Sequence, residues 1–166
     1  MKIGKPCLLF AMILFFLNWT ASLFALDDEL LSLRGLTELF VLIEIEEPEI
    51  EKDGLTRGEI QRDTEKRLRE AGINILSKQE WLRKKEGAYL YVNVNARKSG
   101  YGVYINGINL ELVQKVLLVR NAKTEVFATT WSRQLLGHGG YLERIRYSIQ
   151  DMVDMFLISW KKANGK

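Results

Sequence analysis

The sequence predicts an α+β fold, a two-layer sandwich with a mainly antiparallel sheet and helices on one face, in the order β-α-(α)-β-β-β-α. Three observations carry that prediction. Apolar residues alternate at period two through Phe40–Glu46, through Tyr89–Ala96 and through most of 101–134. They recur at helical spacing over 57–71 and 141–162, and cap residues and glycines punctuate the boundaries between the two periods.

The first strand places Val41, Ile43 and Ile45 on one face and Leu42, Glu44 and Glu46 on the other, and Pro48 stops it. An acidic turn over 46–53 leads into the clearest local signal in the chain. Thr56 with Glu59 three residues later forms a capping box, and Leu55 before the cap can staple onto Ile60. Ile60, Thr64, Leu68 and Ala71 then share a helical stripe, with Asp63/Arg67 and Glu65/Arg69 spaced for ion pairs on the wet side. Gly72 is expected at C′, with Ile73 reaching back to Leu68 in a Schellman motif. Ile73 and Ile75 suit a short strand, and Ser77 to Glu80 repeats the capping box before a short helix carrying Trp81.

From Gly87 the period is two: Leu90, Val92, Val94 and Ala96 face one way, Tyr89, Tyr91, Asn93 and Asn95 the other. Ser99-Gly100 is a turn, and Tyr101 to Val119 reads as strand. The apolar phase slips around Asn106-Gly107, which signals either a bulge in one long strand or a two-residue hairpin turn. The bulge is the preferred reading, because Thr124 to Gln134 offers a long partner across Asn121-Ala122-Lys123. The last segment aligns Tyr141, Ile145, Ile149, Met152, Phe156 and Ser159/Trp160 as an amphipathic helix.

The N-terminal segment supplies an address. Lys2 and Lys5 precede the uninterrupted apolar run Cys7–Leu17, 11 residues that suit a signal h-region and fall short of the roughly 20 needed to span a membrane. Residues 1–25 are therefore expected to be a secretory signal peptide and 26–166 a single domain that is periplasmic or secreted. Cleavage after Ala25 is preferred, with Ser22 as a second site. An uncleaved anchor is the alternative, and the only membrane attachment expected. Cys7 lies at the start of the apolar run, which is wrong for a lipoprotein.

Without the signal, 22 basic residues face 21 acidic ones, interleaved, which leaves no electrostatic footprint for nucleic acid. Cys7, the sole cysteine, departs with the signal, taking disulfides and thiol chemistry with it. One histidine, His138, is too few for zinc, and no cofactor or metal is expected. The carboxylates Glu44, Glu46, Glu47, Glu49, Glu51 and Asp53 lack the order of a known calcium loop and read as a solvated strand end.

Several segments together resemble an uncharacterised family of small exported bacterial α+β proteins, a domain of unknown function. They are the signal peptide, Gly54-Leu55-Thr56, 68–73, 89–94, Thr130-Trp131 and the final helix with Arg146 and 151–156. The resemblance implies no activity for any residue.

Two surfaces are candidates for function. Gly137-His138-Gly139-Gly140 reads as a strand-to-helix turn whose backbone N–H groups can hold an anion, giving His138, Gly139, Gly140, Arg133 and Arg144 as a ligand-binding set. The stretch is similar to the oxyanion segment of esterases, but no G-x-S-x-G elbow accompanies it, so a hydrolase built on His138 and Ser132 is the weakest reading. If helices cover one sheet face, Tyr89, Tyr91, Asn93, Tyr101 and Tyr104 line an open face suited to protein contact. Trp81, Trp131 and Trp160 are expected in or at the rim of the core. The function expected is that of a non-enzymatic envelope protein that binds another envelope protein through that face. The alternative is binding of a small ligand or anion by the Gly137–Gly140 loop.

Overall fold

Alternation along the chain is realised as a single open sheet. A computed structural model describes residues 28–84 and 87–166; the expected signal peptide, with Cys7, lies outside them. The strands are β1 (Glu38–Ile45), β2 (Asn74–Ile75), β3 (Tyr89–Lys98), β4 (Tyr104–Leu118) and β5 (Asn121–Gly140), in spatial order β2-β1-β3-β4-β5. The helices are α1 (Pro48–Lys52), α2 (Arg57–Glu70), α3 (Lys78–Arg83) and α4 (Leu142–Asn164). Residues 28–32 are also helical.

The sheet is mixed. β1 runs parallel to both its neighbours, and only β3-β4-β5 form the antiparallel meander. Parallel pairing needs a crossover, and α2 supplies it between β1 and β2. The helix begins on the Thr56/Glu59 capping box and ends as a Schellman motif: Ile73 N–H donates to Leu68 O at 3.0 Å and Gly72 N–H to Arg69 O at 2.9 Å, with Gly72 at φ +91°. The second box, Ser77/Glu80, opens α3.

The core lies between one sheet face and the helices α2 and α4. Val41, Ile43, Leu90, Val92, Val94, Ile108, Leu110 and Leu112 meet Ile60, Leu68, Ile145, Ile149, Met152 and Phe156 there. Trp131 and Trp160 are each only 1% exposed, and the Trp160 indole donates to Leu36 O at 2.7 Å. Tyr141, expected on the stripe of α4, is instead its N-cap residue and exposed; Val153 and Leu157 complete the stripe.

Two local expectations are corrected. Asn106-Gly107 holds neither a bulge nor a hairpin: β3 and β4 pair without interruption from Lys98↔Tyr104 to Tyr89↔Val113. The apolar phase slips because Asn106 occupies a core-side position while Ile105 points outward, so composition changes and backbone register does not. Irregularities do occur in the β4–β5 ladder, between Leu112 and Val113 among others. β5 also outruns its expected limits at both ends, starting at Asn121 after a tighter turn and continuing through Gly140.

Candidate functional site

The sheet face away from α2 and α4 carries a grid fixed by strand register. Glu44, Asn93, Asn109 and Gln134 form one row across four strands, and Asn95, Gly107 and Leu136 form the next. Period-two alternation puts these side chains opposite the core residues of the same strands.

The β1–β3 half of the grid is tied together by hydrogen bonds. Tyr91 OH donates to Glu44, and Asn93 Nδ2 donates to Glu46 Oε1 at 3.0 Å and to Tyr91 OH at 3.2 Å. Asn95 Nδ2 donates to Glu46 Oε2 at 2.6 Å. Burial, reinforced by the bond to the Glu44 carboxylate, raises the Tyr91 phenol above its ordinary pKa, so Tyr91 stays a neutral donor. The acidic stretch is thus a set of tie points. Glu47 takes Arg97 at 2.8 Å, and Asp53 takes Tyr104 and Lys98. The Tyr104 and Lys98 hydrogen bonds hold the Asp53 carboxyl below its usual value.

Beside this network the face dips over Gly107 into a cleft of about 540 Å³, lined by Asn93, Asn95, Asn109 and Gln134 with Ile105 and Leu136 as apolar walls. Ile105 is 52% exposed and Leu136 82%. At the opposite end the face is covered. Trp81 of α3 stacks on Phe40 at 5.5 Å and meets the edge of Tyr89 at 5.5 Å, with Phe127 of β5 alongside. The indole donates to Gly87 O at 2.8 Å. The short helix therefore contributes to the face that the sequence left bare, and the helices are not confined to one side.

Of the five residues expected on this face, Tyr89, Tyr91 and Asn93 are there. Tyr101 sits in the β3–β4 turn, 96% exposed. Tyr104 is on the other face, 5% exposed, because the turn runs to Val103 and β4 opens at Tyr104 opposite Lys98. Asn109 and Gln134, which sequence reasoning missed, belong to the grid; each is a polar residue at an outward position of a strand whose inward positions are mainly apolar.

The glycine-rich set is placed differently from expectation. Gly137, His138 and Gly140 are strand residues of β5, paired with Asn106, Ile105 and Tyr104, so Gly137–Gly140 is a ladder and not a loop. His138 lies in register with Ile105 and is exposed. Arg133 points elsewhere: it pairs with Glu29 at 2.8 Å and lies 4.7 Å from the Trp131 ring. Arg144 alone of the two arginines lines a cavity with Gly137 and Gly140. Ser132 and His138 sit six positions apart on one extended strand, about 20 Å, so they form no dyad. Among the described residues no cluster of metal-ligating side chains occurs, and no helix is long and apolar enough to cross a membrane.

The arrangement defines an α+β protein with a mixed five-stranded open sheet and one preorganised, partly apolar sheet face. No protein-family model matches the chain, and no curated protein matches it. Among solved structures it is similar to a PelC dodecamer from Paraburkholderia phytofirmans, at 21% identity over 72% of this chain and 86% of that one, TM-score 0.44. It is also similar to a homolog of a neuraminyllactose-binding hemagglutinin from Helicobacter pylori, at 13% identity over 77% and 83%, TM-score 0.31. At these scores neither likeness carries an argument.

Proposed function

We propose that the protein is an exported, non-enzymatic binding module that docks another envelope protein on its open sheet face. The observation that carries this reading is the pairing of exposed Leu42, Ile105 and Leu136 with the hydrogen-bonded Glu44–Tyr91–Asn93–Glu46–Asn95 network on one surface. Apolar side chains beside polar groups already held in place suit a protein partner. Groups that are fixed before binding lose little freedom on docking.

The test is capture from the native envelope with tagged protein, comparing three forms. Ile105→Asp with Leu136→Asp should abolish capture of the partner that the unaltered protein retains. Ile158→Asp, at an exposed position of α4, should leave it unchanged. Capture that survives the open-face charges, or that is lost equally with the helix variant, overturns the proposal.

A further inference from the structure

The last two strands outrun the sheet. Val113, opposite Tyr89, is the final residue of β4 with a partner in β3. Beyond it Gln114–Leu118 pair only with β5, so the two strands project as a ribbon closed by Val119 and Arg120. A two-stranded ribbon has no core of its own to bury. Phe127, near its base, still meets Trp81 and Tyr89. At the tip, however, Leu117 is 59% exposed and Val119 fully exposed. Apolar side chains left in water together on a projecting tip contribute nothing to folding and mark a contact surface.

Charge around the tip has one sign. Glu125, the only carboxylate between Gln114 and Ala128, is taken by Lys115 at 2.8 Å. Arg120 and Lys123 are exposed and have no carboxylate partner among the described residues. Apolar residues set between cations suit an anionic lipid interface, where the former enter the acyl boundary and the latter meet headgroup phosphates. A second copy of the same tip would instead bring like charges together.

The chain also enters at this end of the sheet. Ser32 Oγ donates to Thr130 O at 3.1 Å and Gln114 Nε2 donates to Ser32 O at 3.0 Å, which ties the entering segment to the base of the ribbon. The apolar run Cys7–Leu17 ends shortly before Asp28, and the intervening chain can reach at most about 35 Å. The ribbon extends about 17 Å past the sheet. A bilayer that holds the apolar run therefore lies within reach of the tip.

We infer that the β4–β5 tip inserts Leu117 and Val119 into an anionic bilayer surface, with Arg120 and Lys123 on the lipid phosphates. The cleft with Ile105 and Leu136 lies at the other end of the same strands, so this inference and the docking of an envelope protein can fail separately.

The test uses the full chain with Cys7→Ser and Val119→Cys, labelled at position 119 with the fluorophore NBD and incorporated into vesicles. With about one-third phosphatidylglycerol in phosphatidylcholine, the label should shift to the blue and be quenched by brominated acyl chains. A label carried instead by Tyr101→Cys, in the turn at the far end of the sheet, should stay aqueous. Phosphatidylcholine alone, or salt at about 0.5 M, should return the tip label to water although the apolar run still holds the chain on the vesicle. Arg120→Gln with Lys123→Gln should lower the ratio of quenched to unquenched label about 25-fold, at about fivefold for each cation removed, with circular dichroism unchanged. Leu117→Thr, which keeps a strand-forming residue, should lower it as well. A tip label that stays aqueous, that is quenched no more than the label at 101, or that ignores lipid charge overturns the inference. So does a blue shift that follows protein density in phosphatidylcholine alone, the result expected if a second copy covers the tip.

Discussion

Arg146 donates through Nε to Asp63 Oδ2 at 2.6 Å and through Nη2 to Oδ1 at 3.0 Å, clamping α4 to α2. Gln150 Nε2 adds a third donor to the same carboxylate at 2.9 Å, and Arg67 crosses back to Asp154 at 2.8 Å. The two helices thus exchange their charges side by side within one layer, in place of the Asp63/Arg67 pair that spacing within α2 suggests.

Asp63→Asn should therefore destabilise the fold by about 1 kcal/mol, a modest figure because both partners are partly solvated. Arg146→Leu should cost little more once Asp63 is already Asn, as a double-mutant cycle by urea unfolding would show. The pH dependence has a defined sign. The Arg146 hydrogen bond holds Asp63 below its ordinary value of 3.8, so its contribution is present above that value and is lost as pH falls through the lower folded one. The gap between wild type and Asp63→Asn should close on acidification below about pH 4.

Two buried tryptophans provide a controlled comparison. Trp160 Nε1 donates to Leu36 O, whereas Trp131 Nε1 is buried without a partner among the described residues. Phenylalanine removes the same atoms from each. Trp160→Phe should be the more destabilising by about 1–2 kcal/mol, because it strands a carbonyl, while Trp131→Phe relieves an unsatisfied donor.

Gly72→Ala and Gly58→Ala should change stability in opposite directions. Gly72 stands at φ +91° with open space around it, so an alanine pays only for the backbone, about 1 kcal/mol. Gly58 lies in the first turn of α2 with no such φ and no crowding, and alanine there should stabilise by about 0.5 kcal/mol. Thermal melts of the two variants check both signs.

Gly87→Ala should open the aromatic cover. A Cβ at Gly87 would stand 2.6 Å from Trp81 Cδ1, and the indole can yield only by leaving Phe40 and Tyr89. The expected readout is a red shift in tryptophan emission as Trp81 becomes wet, with the helical signal intact.

What the sequence made legible was local. Thr56/Glu59, Ser77/Glu80 and Gly72 report their own geometry through residues three to five positions apart, and the β1, β3 and α4 stripes follow from a single period. Tyr104 was misplaced because strand phase was carried across a turn whose far end, Val103, leaves no mark in composition. Gly137–Gly140 resembled a loop because glycine disfavours strands; the reason for strand there is the space that Gly137 leaves for Asn106, which belongs to a different strand and to no shared local pattern. The grid on the open face was half visible: Asn93 stood out beside its tyrosines, but Asn109 and Gln134 join it only through pairing register. Partners at long sequence separation, such as Asp63 and Arg146, have no local signature at all.

β1 lies between β2 and β3, with Leu39 beside Ile75 and Val41 beside Leu90. Both of its flanks come from chain that is synthesised later. A polypeptide emerging from its N-terminus can form α2 on local signals alone, yet β1 has only the two residues of β2 to pair with until the residues through Val94 have followed. Closure of the sheet is thus a late, non-local event that sets the pace of folding. Until then, Leu39, Val41, Ile43 and Ile45 form a sticky apolar ribbon that must be kept from other chains.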